Sequence, residues 1–157
     1  MGARAELRTE PAERVLHITR VFDAPRELVF EAWSRREHLL EWWGPRGYTM
    51  TRCDLDLRPG GAYHYEMRSP EGLTHRAAGV FVDVIPPERL SFTAGWVDEK
   101  GVRGHETLIT MTFRDDRGQT VLDFHQAVFE SQTARDSHEG GWSSTLELLA
   151  EYLQKRS

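Results

Sequence analysis

The sequence is poor in cysteine and contains no long apolar segment. Cys53 is the single cysteine among 157 residues, so no disulfide can form within the chain, and nothing indicates an oxidising compartment. No apolar run approaches the ~20 residues that a membrane-spanning helix needs. Residues 1–14 are charged and lack the apolar centre of a signal peptide. We therefore expect a cytoplasmic protein without membrane insertion.

An excess of positive charge, internal repeats and phosphate-binding motifs are lacking as well. Twenty Lys and Arg residues stand against 25 Asp and Glu residues, a formal net charge of −5, which argues against nucleic acid as the main partner. Gly60-Gly61 is followed by neither a helix nor a lysine, so no phosphate-binding loop is indicated and we expect no cofactor. We expect one domain over residues 1–157, with residues 1–13 as a disordered or loosely held N-terminal arm.

What the sequence does contain is a series of segments with alternating apolar residues. This alternation predicts seven strands, at residues 14–22, 48–57, 62–68, 74–85, 90–97, 105–114 and 120–130. Short turns such as Pro59-Gly60-Gly61 separate most of them, so the sheet should be antiparallel.

Two short helices are predicted between the first and second strands. Apolar residues recur at helical spacing over residues 25–33, with Asp23 as a candidate cap. Ser34 followed by Glu37 predicts a capping box for a second helix, which Gly44-Pro45 should end.

A long amphipathic helix is predicted at the C-terminus. Its apolar stripe runs at spacings of four, three and four through Trp142, Leu146, Leu149 and Leu153. Gly140-Gly141 indicates either a late helix start or a place where the backbone approaches another group closely. The predicted fold is α+β, a curved antiparallel sheet wrapped around this helix. One helix cannot fill the concavity of seven strands, so a cavity should remain between them.

The residues in phase on the concave side predict the cavity wall. They are Tyr63, Tyr65, Met67, Phe92, Trp96, Ile109, Met111, Phe113, Phe124, Gln126 and Trp142. Plain core packing explains any one of the apolar residues, whereas the set suits an apolar ligand. The amide of Gln126 either finds partners in tyrosine or water or orients a ligand.

Trp42 and Trp43 are adjacent, so they cannot share one face of a helix or strand. They either close an open end of the half-barrel or line a ligand entrance beneath a mobile loop. His138, shortly before Gly140-Gly141, is placed near the cavity mouth.

Neither a metal site nor a catalytic centre is indicated. The seven histidines form no metal-binding spacing, so we expect no metal. The serines at 143 and 144 lack a nucleophile-elbow setting. Asp54 beside Cys53 should raise the pKa of the thiol, which disfavours a nucleophile.

Several stretches together resemble a known superfamily. They are WWGPRGY, DLRPGGAYHYEM, PEG, GVFVDVIPPERLSFT and GGWSSTLELLAEYL, in that order. They are similar to START-like (SRPBCC) helix-grip proteins, in the branch named after the C-terminal domain of the activator of the heat-shock-protein-90 ATPase, which includes calicheamicin-resistance-like proteins. The resemblance spans residues 16–153 and implies a helix-grip fold with a hydrophobic cavity, but no single activity.

Three functions follow as expectations. The leading one is binding of a hydrophobic, aromatic or lipid-like small molecule without strong catalysis. The second, implied by the resemblance alone, is a module that stimulates a chaperone ATPase. The third is a cyclase or hydrolase acting on a polyketide-like substrate, with Gln126, Tyr63 and Tyr65 as its polar groups. Pairing of two copies through a sheet edge stays open.

Overall fold

The computed structural model describes residues 11–156, and within them seven strands form one sheet. The strands are β1 (Leu16–Phe22), β2 (Thr49–Leu55), β3 (Ala62–Arg68), β4 (Thr74–Ile85), β5 (Arg89–Val97), β6 (Thr107–Asp116) and β7 (Gln119–Ala127). The helices are α1 (Arg26–Ser34), α2 (Arg36–Trp42) and α3 (Gln132–Arg156), and a short 3-10 turn spans Ala12–Arg14.

The sheet has the order β1-β7-β6-β5-β4-β3-β2, and every neighbouring pair is antiparallel. Register shifts interrupt β2 between Met50 and Arg52 and β4 between Phe81 and Asp83. Such irregularities bend strands and increase their twist, so the sheet curves. The predicted α+β helix-grip fold, with α3 against the concave side and two short helices after β1, is confirmed.

Leucines from the C-terminal half of α3 fill one end of the concavity. Leu146, Leu149 and Leu153 are almost completely buried. On the sheet, the inward phase of Ile109, Met111 and Phe113 on β6 agrees with the alternation in the sequence. Burial of these side chains is the main stabilising contribution to the fold.

The helix caps differ from those predicted. Pro25, not Asp23, precedes α1, and no side chain caps that helix. Ser34 is the last residue of α1, where its hydroxyl donates to the carbonyl of Phe30 at 2.8 Å. Because Ser34 belongs to α1 and Arg35 is the residue that precedes α2, Ser34 does not cap α2 and forms no capping box with Glu37.

The long helix begins earlier than its glycine pair suggests. Ser131 accepts a hydrogen bond from the backbone N–H of Ala134 at 3.1 Å, the bond of an N-terminal cap. A late start at Gly140-Gly141 is therefore wrong, since both glycines lie inside α3.

Part of the predicted N-terminal arm, residues 1–10, lies outside the described residues. Residues 12–14 form the 3-10 turn. Between residues 11 and 156, no helix combines the length and apolar character needed to cross a bilayer.

Candidate ligand-binding site

A pocket of about 320 Å³ lies between the N-terminal half of α3 and the concave face of the sheet. We call it the outer pocket. Side chains from β3 to β7, from α3 and from the loop after α2 form its wall. Its aromatic members are Trp43, Tyr48, Tyr65, Trp96, Phe129 and Trp142.

The outer pocket exists because α3 carries different side chains in its two halves. Ala134, Ser137 and Gly141 line the pocket with small side chains. One to three turns later, Leu146 and Leu149 are fully buried in the core. The helix therefore fills one end of the concavity and leaves the other end open.

The helix α2 ends between the adjacent tryptophans, which explains how both can be buried. Trp42 is the last helical residue, and its indole N–H donates to the carbonyl of Ala32 at 3.0 Å. Trp43 has extended backbone angles, so its ring leaves in another direction and lines the outer pocket. The two rings, 4% and 8% exposed, meet Trp33 at centroid distances of 4.9 and 5.5 Å.

Gln126 holds Trp142 in the pocket wall. The indole N–H of Trp142 donates to Oε1 of Gln126 at 2.9 Å, and Nε2 of Gln126 donates to the Thr107 hydroxyl at 2.9 Å. Thr107 in turn donates to the carbonyl of Ala94 at 3.3 Å. Neither tyrosine satisfies the amide, contrary to one of the expectations above. These three hydrogen bonds together fix the position of the Trp142 ring in the pocket wall.

At the pocket mouth, Trp96 joins the sheet to α3. Its ring is 43% exposed, and its indole N–H donates to Nε2 of His138 at 3.2 Å. Nδ1 of His138 lies 2.8 Å from the carbonyl of Ala134. Because a carbonyl only accepts and an indole N–H only donates, these bonds assign the neutral Nδ1–H tautomer to His138.

The loop over the pocket is fastened to α3. Gly44 and Gly47 both have positive φ, 103° and 92°. Between them, the backbone N–H of Arg46 donates to the Ser144 hydroxyl at 2.8 Å, and its guanidinium binds Glu151 at 2.6 Å. The hydrogen bond from Arg46 lowers the pKa of Glu151. Both contacts that join this loop to α3 lie at the protein surface.

The wall of the outer pocket is aromatic and nearly uncharged. Among the described residues, neither arginine nor lysine lines it, and Glu130 is its single carboxylate. Burial raises the pKa of Tyr65, and nearby Cys53 adds to the effect, so its hydroxyl stays protonated. This hydroxyl has no hydrogen-bond partner within residues 11–156, which leaves it free to donate to a ligand.

A second cavity of about 40 Å³, which we call the inner pocket, lies next to the outer one. Trp43 and Tyr65 line both pockets. Apart from Asp54, the inner wall is mostly apolar, and it consists of Trp33, Leu39, Trp43, Met50, Cys53, Asp54, Leu55, Tyr63, Tyr65, Phe81, Leu90 and Phe92.

The structure brings eight of the fourteen predicted site residues to the outer pocket. They are Trp43, Tyr65, Met67, Trp96, Ile109, Gln126, His138 and Trp142. Tyr63 and Phe92 line the inner pocket instead.

Four of the predicted site residues line neither pocket. Trp42 packs on Trp33, Phe113 meets Phe30 of α1 at 5.3 Å, Phe124 is covered by the Trp142 ring at 4.7 Å, and Met111 is fully buried in the core.

Several wall residues are absent from the sequence-based prediction. The helix contributes Ala134, Ser137, Gly141 and Thr145, and strand ends and loops contribute Tyr48, His75, Thr107, Phe129 and Glu130. Ala134, His138, Gly141 and Thr145 recur at spacings of four, three and four, which places them on one face of the helix, beside the apolar stripe. That periodicity was a usable signal, whereas the loop residues carry none.

The cysteine and metal chemistry considered from the sequence finds no support. Burial raises the pKa of Cys53 to about 11, against an opposing effect of Arg36, and Asp54 raises it further. The expected direction is confirmed, although burial is the larger cause. No group of three or more possible metal ligands occurs within residues 11–156.

Comparison with known proteins connects this geometry to a family. The model of a family described as activator of Hsp90 ATPase homolog 1-like protein matches residues 23–154. No curated protein matches the chain significantly in sequence.

Solved structures with the same fold come from several bacteria. A protein from Silicibacter pomeroyi, described as an AHSA1 protein, is 30% identical, with a TM-score of 0.83, over 91% of this chain and 99% of that chain. A protein from Nitrosomonas europaea is 25% identical, with a TM-score of 0.78 and coverages of 93% and 97%. A protein from Arthrobacter aurescens is 25% identical, with a TM-score of 0.81 and coverages of 91% and 87%.

Proposed function

The chain belongs to the family of activator of Hsp90 ATPase homolog 1-like proteins, and from this premise we propose that it binds a neutral, hydrophobic, aromatic small molecule in the outer pocket. Proteins with this fold commonly bind hydrophobic ligands. The observation that carries the proposal is a pocket of about 320 Å³ with six aromatic side chains in its wall. Pockets that bury drug-sized ligands begin at ~300 Å³ and are mostly apolar.

The charge of the wall narrows the class of ligand. The described wall of the outer pocket has neither arginine nor lysine, and its basic side chains are His75, His105 and His138, so a carboxylate or phosphate finds no permanently charged partner there. An uncharged ligand needs no charged partner to compensate for the water that it leaves. Lipid-like molecules with anionic head groups are therefore weaker candidates than neutral aromatic compounds.

A neutral fluorescent probe, N-phenyl-1-naphthylamine, tests this function. We expect saturable binding of one probe per chain, with energy transfer from Trp43 and Trp142 to the probe. Ala94→Phe places a ring in the outer pocket and should abolish binding. Ala62→Phe, exposed on β3 and outside both walls, should leave it unchanged. Absence of saturable binding, or equal binding by the Ala94→Phe variant, contradicts the proposal. Native mass spectrometry of the purified protein then identifies a retained ligand.

An enzymatic role finds less support in the three polar candidates. Gln126 is bonded to Trp142 and Thr107, and the hydroxyl of Tyr63 donates to the carbonyl of Thr93 at 2.6 Å. Only the hydroxyl of Tyr65 is available to a substrate. One weakly acidic hydroxyl can orient a ligand but does not form an acid–base pair.

A chaperone-directed role is supported by the family description alone. The assay is direct: purified protein is added to the Hsp90-type ATPase of the same cell. Stimulation of ATP hydrolysis would support this role, whereas an unchanged rate together with no binding would remove it.

A further inference from the structure

The wall of the outer pocket contains a tyrosine hydroxyl that the protein leaves unused. Tyr65 lies on β3, and its hydroxyl makes no hydrogen bond within residues 11–156. In the same part of the chain, the side-chain atoms that are both without a partner and closed to solvent are nitrogens of Trp33 and His64. The Tyr65 oxygen is not among them, so it is unpartnered and still accessible.

The neighbouring Tyr63 shows in which direction the Tyr65 ring extends. The Tyr63 ring passes over Gly79 of β4, where its Cε2 would lie 2.8 Å from an added Cβ, and its hydroxyl donates to the carbonyl of Thr93 on β5 at 2.6 Å. The rings of Tyr63 and Tyr65 stack, with centroids 5.7 Å and planes 19° apart. Alternate residues of a strand are about 6.6 Å apart, so rings this close extend the same way, across β4 towards β5.

That direction brings the Tyr65 hydroxyl to the outer pocket. Tyr65 pairs with Ala77 on β4. Ala77, together with Ala94 and Gly95 of β5, lines the outer pocket and not the inner one. These three residues carry at most a methyl group, so they leave the space beyond the ring open. A ligand in the outer pocket therefore meets this hydroxyl on the side formed by the sheet.

The chemistry of the hydroxyl defines what it binds. Burial raises the pKa of Tyr65, so the hydroxyl keeps its proton and can donate it in a hydrogen bond. A donor away from bulk water gains most from an acceptor, and a ligand that supplies one binds more tightly. A carboxylate also accepts, but neither lysine nor arginine in the described wall compensates for its charge. A neutral carbonyl oxygen meets both conditions.

We infer that the ligand carries a carbonyl oxygen on its aromatic body and that the Tyr65 hydroxyl donates a hydrogen bond to this oxygen. The inference rests on the proposed binding in the outer pocket and adds the class of ligand, an aryl ketone or a related neutral carbonyl compound. Tyr65 thereby selects among aromatic molecules of the same shape.

Displacement of N-phenyl-1-naphthylamine by two ligands of the same shape tests this inference. 9-Fluorenone and fluorene are flat and uncharged, and the ketone has an oxygen where the hydrocarbon has two hydrogens. Tyr65→Phe removes the donor and keeps the ring. We expect this variant to lower the ratio of fluorenone affinity to fluorene affinity by about fivefold, the effect of one hydrogen bond. Using the ratio cancels any general effect of the substitution on the pocket, and an unchanged ratio overturns the inference.

Two further substitutions of tyrosine by phenylalanine show whether the effect belongs to Tyr65. The hydroxyl of Tyr152 lies 2.6 Å from Nδ1 of His38, and the side chain lines neither pocket, so Tyr152→Phe should leave the ratio unchanged. Tyr48 is the other tyrosine in the outer wall. A ratio that falls with Tyr48→Phe and not with Tyr65→Phe would place the carbonyl elsewhere and overturn the assignment.

Nuclear magnetic resonance gives an independent result, even if Tyr65→Phe fails to fold. Protein labelled with carbon-13 at tyrosine Cζ gives four signals, and replacing each of the other three tyrosines by phenylalanine assigns Tyr65 by exclusion. Fluorenone should move the Tyr65 signal further than fluorene does, because the two ligands have similar rings and only the ketone accepts a hydrogen bond. Equal shifts with both ligands bound overturn the inference.

The inference and the proposed function fail separately. If N-phenyl-1-naphthylamine binds and fluorenone does not displace it, the carbonyl class is wrong, and the outer pocket still binds apolar molecules. If the probe, fluorenone and fluorene all fail to bind, with tryptophan fluorescence as the readout for the last two, the proposed function is overturned as well.

Discussion

The side chain of Gln126 joins β7 to α3 through the indole N–H of Trp142. Replacing Gln126 with leucine keeps the volume but leaves this indole N–H, in a ring 9% exposed, without its acceptor. Thr107 keeps its bond to Ala94, so the unpaired indole N–H of Trp142 dominates the effect. We expect a loss of about 1–3 kcal/mol in the free energy of unfolding, measured by urea denaturation.

Two variants check that the loss comes from the bond. Gln119→Leu makes the same substitution at an exposed position of β7 and should change the free energy of unfolding by less than about 0.5 kcal/mol. In the double variant Gln126→Leu, Trp142→Phe, both partners are absent, so the combined loss should be smaller than the sum of the single losses. Strict additivity would show that the amide and the indole act independently.

The thiol of Cys53 should be inert in the folded protein. Burial raises its pKa from 9.0 to about 11. At pH 8 the reactive thiolate is then ~100-fold scarcer than in the unfolded chain. We expect iodoacetamide to alkylate the native protein at least ~100-fold more slowly than the protein in urea, as followed by mass spectrometry. Comparable rates at pH 8 would contradict the burial of this group.

The raised pKa of Cys53 also predicts the direction in which the free energy of unfolding changes with pH. Folding favours the neutral thiol, so its contribution is complete below pH 9 and is lost as the pH rises from 9.0 towards about 11. The Cys53→Ala variant should lack this part of the alkaline destabilisation.

Within α3, the two glycines have different surroundings. A Cβ on Gly140 would meet no atom within 4 Å, and one on Gly141 would lie 3.8 Å from Cγ of Pro45. Alanine fits at both positions and should stabilise the helix by about 0.5–1 kcal/mol at each. Only Gly141 lines the outer pocket, so Gly141→Ala should also weaken binding of N-phenyl-1-naphthylamine.

Gly140→Ala is the matched control for this substitution, because it changes helix propensity without changing the pocket. Thermal unfolding reports the shared stabilisation, and fluorescence titration reports the separate effect on affinity. If both variants bind the probe as the unmodified protein does, the backbone of Gly141 is not part of the ligand site.

Alternation along single strands predicted the sheet well but could not locate the pocket. Ile109, Met111 and Phe113 share one face of β6, and a period of two treats them alike. Only Ile109 lines the outer pocket, because α1 covers Phe113 with Phe30 and the core encloses Met111. Tertiary packing decides where a helix crosses a sheet. The sequence of a single strand does not encode this position.

Sequence patterns for helix caps were less reliable, because the neighbouring structure also decides where a helix starts. Ser34 and Glu37 have the spacing of a capping box, yet the Ser34 hydroxyl bonds back to Phe30 within α1. The capping box is absent because α1 extends through Ser34 and Arg35 takes the position before α2, so Ser34 and Glu37 each lie one residue before the position that a capping box requires. At Trp43, by contrast, Gly44-Pro45 did mark the end of the helix.

Across the whole molecule, the size of the hollow depends on a few small side chains at the start of α3. Ala134 lines the outer pocket and is partly buried against the core, and a leucine there would fill part of the pocket. We expect Ala134→Leu to raise the free energy of unfolding by about 1–2 kcal/mol through the added buried methylenes. It should lower the affinity for N-phenyl-1-naphthylamine at least ~10-fold, because the same volume is no longer available to the probe. Urea denaturation and fluorescence titration measure the two effects.

Ser143→Leu supplies the comparison, since Ser143 lies on the same helix and lines neither pocket. This variant should bind the probe with unchanged affinity, whatever its effect on the free energy of unfolding. A stabilised Ala134→Leu protein that has lost the probe would mean that the fold gives up stability to keep its hollow open. A destabilised variant that still binds would mean that the side chain of residue 134 points away from the hollow, and that the cavity has another origin.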